Sequence, residues 1–279
     1  MKKRWHPFRS FGWRLLLIVW SLLILLPLCW IIMVSLKTNR EFYQSCWALP
    51  KVAQFSNYSN VWRENGIGRA FVYTIIYVGS CLAICMTVTY FCTYTLRRVK
   101  FKGRNFLYRL VMFSLFLPGI NSMIPTYVTL RRFGMVNFTG LILFSSCGIG
   151  AFNLMVLGGF LDTIPHEMEE SAYMDGAGYF RTMIQIIAPM AKPGLITILV
   201  FAFLGFYNSY LWPNLLLAGQ SEKYTIAVKM FEINKHLMYK SNWTGLCAVI
   251  VMGLVPSVTF YMLLQKYVVN GATIGALKG

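Results

Sequence analysis

Five of the nine acidic residues of this chain fall in one stretch, Asp162–Lys192, which reads DTIPHEMEESAYMDGAGYFRTMIQIIAPMAK. They are Asp162, Glu167, Glu169, Glu170 and Asp175. Carboxylates gathered in this way suit polar contacts to a partner protein. The plainer alternative is an ordinary helical loop at a surface. Chemistry is sparse elsewhere. No GxxxxGK[ST] loop is present to cradle phosphates. No carboxylate pair or Ser/His/Asp set suited to catalysis stands outside the stretch. His6, His166 and His236 are far apart, and no CxxC pair occurs among the seven cysteines. A zinc site or a disulfide framework is therefore not expected. Six of the cysteines (Cys29, Cys81, Cys85, Cys92, Cys147 and Cys247) lie in apolar runs and read as small buried residues, leaving Cys46 outside them.

The stretch itself predicts two short helices. Pro165 suits a first helical turn, where a missing N–H is no loss. Glu167, Glu169 and Glu170 come next, where negative charge favours the helix dipole. Asp175-Gly176 marks a turn. Tyr179, Met183, Ile186 and Ile187 then recur at i, i+4, i+7 and i+8, the spacing of one helical face. Pro189 and Pro193 interrupt the chain before the fifth apolar stretch.

The elements that must position this stretch are apolar. Hydrophobic residues make up 57% of the chain and charged residues 13%, against about a quarter charged in soluble domains. Six stretches hold no Asp, Glu, Lys or Arg: 22 residues after Arg14, 27 after Arg69, 21 after Arg109, 29 after Arg132, 29 after Lys192 and 25 after Lys240. Each can supply the roughly 20 residues that cross a 30 Å hydrocarbon core as a helix. An ionised side chain at mid-bilayer costs about 2.5–3.5 kcal/mol even on the mildest scale. Backbone groups in lipid need internal partners, so these segments read as helices. The sequence predicts an all-α membrane protein with a single transmembrane domain over 1–279. Its six spans run over about 15–36, 70–96, 110–130, 139–161, 194–217 and 243–265, with a loop over 162–192 and a tail over 266–279. Pro27, Pro118, Pro125, Pro213 and Pro256 lie within spans and predict kinks, as ordinary bundle shaping or as the shape of a path.

The net charge of +17 suits a membrane protein, whose Lys and Arg gather in cytoplasmic loops and meet anionic lipid. With no soluble domain to carry a basic patch, nucleic acid is not an expected partner. Lys2, Lys3, Arg4 and Arg9 precede an apolar run too long for a secretory signal and lacking a small-x-small cleavage site, so it reads as an uncleaved first span. Basic clusters at 2–14 and 97–109 place both termini in the cytoplasm and Asp162–Lys192 on the same side. An acidic loop adds nothing to that bias.

Glu170-Ser171-Ala172-x-x-Asp175-Gly176-Ala177, then Ile186-x-Ala188-Pro189 and Pro193, resembles the "EAA" motif of ABC importer permeases, E-A-A-x-x-D-G-A followed by I-x-L-P-x-x-x-P. Ser171 and Ala188 depart from it but stay small or apolar. Ile164-Pro165-His166-Glu167 fits the usual lead-in. Phe116-Leu117-Pro118-Gly119, Ile124-Pro125-x-Tyr127, Tyr210-Leu211-Trp212-Pro213 and the run Gln265–Gly279 are similar to the maltose-transporter-type (MalG-like) branch. The resemblance implies the type I ABC importer permease fold in a bacterial cytoplasmic (inner) membrane. It implies a second, MalF-like permease, two ATPase subunits and an extracellular solute-binding protein as partners. ATP and Mg would be bound by the ATPase subunits, with no cofactor, catalytic residue or metal in this chain. Glu170, Ser171, Ala172, Asp175, Gly176, Ala177, Ile186 and Pro189 would couple to an ATPase subunit. Gly271, Gly275 and Lys278 would place the tail between the two ATPases.

The substrate implied is a sugar or oligosaccharide. Asn121, Asn153, Tyr207, Asn208, Trp212 and Asn214 are candidates for its path, since aromatic rings and amides suit sugars. The competing reading of the same residues is interfacial anchoring and helix-packing amides. A non-sugar solute is the alternative cargo. An ion-coupled secondary transporter is the alternative mechanism, disfavoured by spans without Asp, Glu or His, and an embedded enzyme lacks catalytic groups. The segments assigned to the outside hold eleven Lys and Arg, Lys37 among them, against four Glu, an excess of +7. That excess suits an acidic oligosaccharide, or a binding protein with an acidic face.

Overall fold

A computed structural model of the chain describes residues 7–117, 122–148 and 150–276, with side chains between 12 and 265. Among the described residues every regular element is helical and none is a strand. The order is α1 (Pro7–Ser35), α2 (Asn39–Gln44), α3 (Ser56–Glu64), α4 (Ile67–Arg98), α5 (Arg104–Phe113), α6 (Met123–Arg132), α7 (Phe138–Ser146), α8 (Ala151–Leu161) and α9 (Glu167–Met174). Then come α10 (Tyr179–Arg181), a π-helical turn (Thr182–Ile187), α11 (Ala188–Met190), α12 (Lys192–Tyr207), α13 (Leu211–Leu216), α14 (Ile226–Tyr239) and α15 (Trp243–Ala276).

Among the described residues three helices are long and apolar enough to cross a bilayer: Gly12–Ser35 within α1, α4, and Trp243–Gln265 within α15. Two bent pairs bring the number to five if each is one span. These are α7 with α8, bent by 45°, and Tyr179–Met190 with α12, bent by 77°. The expected span over 110–130 is divided between α5, a 3-10 turn at Ser114–Phe116, and α6. A helix of 10 residues rises only about 15 Å, half of a hydrocarbon core. The expected span over 194–217 also breaks, between α12 and α13. Pro213 explains the break, because its ring excludes a helical carbonyl at Ser209 and it has no N–H to offer. Pro125 sits in the first turn of α6, where no N–H is needed. Pro27 and Pro256 lie inside helices assigned without interruption.

By packing, the chain forms two compact units. The first comprises Met1–Gly68 and Lys229–Val255. Thr38 caps α2 in a capping box with Glu41, and the same backbone hydrogen bond from Thr38 holds the Glu41 carboxyl below its usual range. Lys37 is fully buried, its ammonium donating to the carbonyls of Ser45 (3.0 Å) and Cys46 (3.3 Å). Trp30, Phe42, Trp47 and Trp243 form an aromatic cluster around this point.

The second unit comprises Arg69–Val228 and Pro256–Gly279. Its core gathers Tyr90 and Tyr94 from α4, Leu157 and Leu161 from α8, and Met183 and Ile187 from the π-helical turn. α8 packs closely on α12. Gly194 makes this possible, for a Cβ there would fall 2.7 Å from the Phe160 side chain. Gly159, one residue from Phe160, has nothing within 4 Å of such an atom. Gly194→Leu should therefore destabilise the detergent-solubilised protein by about 1–3 kcal/mol. Gly159→Leu should stay within about 0.5 kcal/mol of the parent. Thermal unfolding of the two variants side by side checks this, and equal effects would refute the close α8–α12 contact.

Candidate functional site

α8 ends at Leu161 and α4 ends in Arg97-Arg98, and charged groups join the two ends. Arg97 pairs with Asp162 and lies over the Tyr108 ring, 5.1 Å from its centroid. Arg98 is buried. Its Nη2 donates to the carbonyls of Leu161 and Ile164, the latter at 2.6 Å. Its Nη1 meets His166 Nδ1 at 3.1 Å. An arginine can only donate, so this contact requires the neutral imidazole with its proton on Nε2. Arg98 Nε lies 3.8 Å from Glu169 Oε1, with 3% and 10% of the two side chains exposed. That separation makes an ion pair but not a hydrogen bond, and both atoms are without a hydrogen-bond partner.

On this base stands α9. Glu169 and Ala172 face inward, while Glu170, Ser171 and Asp175 are exposed. Met168, Tyr173 and Met174 share the exposed surface, Met174 with 88% of its area open. The helix stops in a Schellman cap. The Ala177 N–H donates to the Ala172 carbonyl (2.9 Å) and the Gly176 N–H to the Tyr173 carbonyl (3.0 Å). Gly176 takes φ +78°, open to glycine and strained for other residues. The D-G-A triplet of the motif is thus the stop signal of this helix. Beyond it, Met183 and Ile187 enter the core as the spacing predicts, Ile186 is half-buried, and Pro189 is exposed. Partial burial, with Tyr173 and Glu169 adding to it, pushes the Tyr179 phenol above its usual range.

Arg97, Arg98 and Glu169 are the residues that the sequence reading missed. The arginines read as orientation charges and Glu169 as a helix-dipole partner. A signal was present: a basic pair closes one apolar stretch, and acidic residues come directly after another.

The proposed path residues separate. Asn153 and Trp212 line a cavity of about 620 Å³ in the second unit. Asn208 is exposed and donates to the Leu204 carbonyl four residues back (3.0 Å). Tyr207 is buried beside Phe203, which stacks on Phe260. Asn214 is half-buried outside that cavity lining. Asn121 and Lys278 lie outside the described residues, and Gly271 and Gly275 fall on the α15 backbone.

Removing one partner of a buried ion pair strands the other charge. Arg98→Ala should destabilise the protein by about 3–5 kcal/mol. Adding Glu169→Leu should restore part of that loss, because the stranded carboxylate is then gone. Thermal unfolding of both single variants and the double measures the coupling, and strictly additive losses would show that the pair does not interact.

Residues 62–273 match the family described as "Binding-protein-dependent transport system inner membrane component". The chain is similar to the diacetylchitobiose uptake system permease protein NgcG of Streptomyces coelicolor, at 32% identity over 94% of this chain and 87% of that protein. It is similar to the melibiose/raffinose/stachyose import permease protein MelC of Bacillus subtilis, at 28% identity over 91% of each. Its structure resembles a chain of a bacterial ABC transporter involved in the import of the acidic polysaccharide alginate. That likeness has a TM-score of 0.82 and 26% identity, over 96% of this chain and 99% of that one. Such permeases are transport components without an ATPase site of their own. The chain belongs to the binding-protein-dependent transport system inner membrane component family and is a permease subunit of an ABC transporter.

Proposed function

We propose that this chain is one of two permease subunits of an ATP-driven importer that carries a sugar or oligosaccharide across a bacterial cytoplasmic membrane. Its partners are a second permease, two ATPase subunits that bind the ATP and Mg, and an extracellular solute-binding protein. The chain crosses the bilayer six times as one permease domain, with residues 110–130 completing the set and both termini in the cytoplasm. The charge-free length of 110–130 and the basic clusters at 2–14 and 97–109 support this arrangement.

The observation that carries the reading is α9. It exposes Met168, Glu170, Tyr173 and Met174 on one short, capped helix, while buried Arg98 fixes its base to α4. An exposed face on a firmly held helix suits docking into an ATPase groove. Glu170 and Asp175 position it by polar contacts, and its displacement reaches α4 through Arg98. The tail residues Gly271, Gly275 and Lys278 contact the ATPase pair. The names of NgcG and MelC support a carbohydrate cargo.

An acidic oligosaccharide is the second form of this reading. The likeness to an alginate importer favours it, as does the basic excess of the segments placed outside. Burial of Lys37 against carbonyls takes one charge out of the free part of that excess.

Mild-detergent purification from the native host, with co-purifying chains identified by mass spectrometry, tests the assignment. An ATPase and a second permease should come with the protein. Gly176→Val and Glu170→Lys should lose the ATPase and keep the second permease. Recovery of the chain alone, or only as a homo-oligomer, would refute the importer reading.

A further inference from the structure

The cavity of about 620 Å³ has a lining that docking to an ATPase does not use. Its walls come from α4, α7–α8 and α12–α13, and its lining includes Gly148 and Gly150 beyond the facing ends of α7 and α8 and Ser209 between α12 and α13. Irregular backbone at membrane depth is tolerated where protein covers it or where it lines a cavity. Discontinuous helices are common at transport sites.

Among the described residues the lining carries no carboxylate, ammonium, guanidinium or imidazole group. It offers aromatic faces instead. Phe144 and Trp212 meet at 4.6 Å and 60°, forming a corner, and Phe201 supplies a ring on another wall. Between the rings stand a few polar groups. The Tyr77 hydroxyl donates to Ser145 Oγ at 3.1 Å, which leaves the Ser145 proton for another acceptor. Asn153 spends one N–H on a long contact to Cys85 Sγ, 3.9 Å away. Its carbonyl oxygen and second N–H remain for a ligand.

A pyranose has the matching anatomy. Its C–H faces lie against aromatic rings, and its hydroxyl rim both donates and accepts hydrogen bonds. The volume falls within the roughly 300–1,000 Å³ of small-molecule sites. A uronic carboxylate does not match, because no cation here would offset its desolvation.

We propose that this chain contributes a sugar-ring subsite at this cavity. Trp212, Phe144 and Phe201 stack on an uncharged pyranose, Asn153 and Ser145 bind its hydroxyls, and Tyr77 orients Ser145. The subsite rejects the carboxylated ring of a uronic acid. It rests on the carbohydrate reading and narrows the cargo to one with an uncharged ring at this point. The basic excess of the external segments then faces the binding protein rather than the sugar.

The test uses the complete importer in lipid nanodiscs, with its binding protein and with Ser145→Cys in this chain. Labelling of position 145 by a small neutral thiol reagent is read by peptide mass spectrometry. The probes are maltotriose, raffinose and diacetylchitobiose, against trigalacturonate. Uptake of each is measured in parallel in vesicles. The neutral sugar that is taken up should slow labelling, and trigalacturonate should not. Trp212→Ala should raise the half-protecting concentration by about ten-fold, near 1.4 kcal/mol. Ser209→Cys, on the same lining, serves as the reporter if Ser145→Cys does not assemble.

Uptake without protection would overturn the subsite and leave the carbohydrate reading standing. So would protection by trigalacturonate, or a position 145 already closed in the absence of sugar by lipid or by the second permease. Uptake of none of the probes by an importer that hydrolyses ATP would refute the carbohydrate reading, and the subsite with it.

Discussion

An ionised side chain deep in hydrocarbon costs several kcal/mol unless it is paired or reaches water, and the distribution of charge in this chain obeys that constraint. Its 35 charged residues are kept out of six long stretches and compressed into the short segments between them. Compression brings opposite charges within reach of each other at helix ends. Arg97 and Arg98 close α4 beside Asp162 and Glu169, which lie just past α8. A set of charged contacts in the second unit therefore stands at the foot of α4. Lys37 shows the same constraint differently met, since it closes the first apolar stretch buried against carbonyl oxygens.

Two kinds of packing build outward from this point. Apolar contact does the general work, through Tyr90, Tyr94, Leu157 and Met183. Close approach is reserved for glycine, as where Gly194 admits the Phe160 ring. The Arg98 guanidinium then does what neither can. It reaches Leu161, Ile164, His166 and Glu169 at once, and so fixes the peptide between α8 and α9 as well as a side chain of α9 itself. A lysine could not make these contacts together, because it lacks the planar fork.

Much of this was legible in the sequence. Charge-free length gave the long helices α1, α4 and α15, because the bilayer imposes one strong and local rule. Asp175-Gly176 was readable as a turn, because a positive φ selects glycine. Met183 and Ile187 were readable as core from their spacing. The breaks were less legible. Composition records whether a stretch can lie in lipid but not whether its helix is continuous, so α12 and α13 read as one span despite Pro213. The ion pairs were hidden for another reason. Arg98 and Glu169 are 71 positions apart, and only the folded chain brings them together. Among the path residues, Asn153 and Asn208 are the same residue type in similar apolar runs, and only packing separates a cavity wall from a helix-bound amide.

The spacing of that pair has a mechanical consequence. Arg98 grips two carbonyls at short range but holds Glu169 at 3.8 Å, beyond hydrogen-bond distance. A gap of this size can close by about 1 Å before the atoms reach an N–H···O separation. The guanidinium is thus hydrogen-bonded to the peptide and holds the carboxylate by charge alone. A push that tightens the contact gains a hydrogen bond, while a pull works against the attraction of opposite charges in a poorly solvated site.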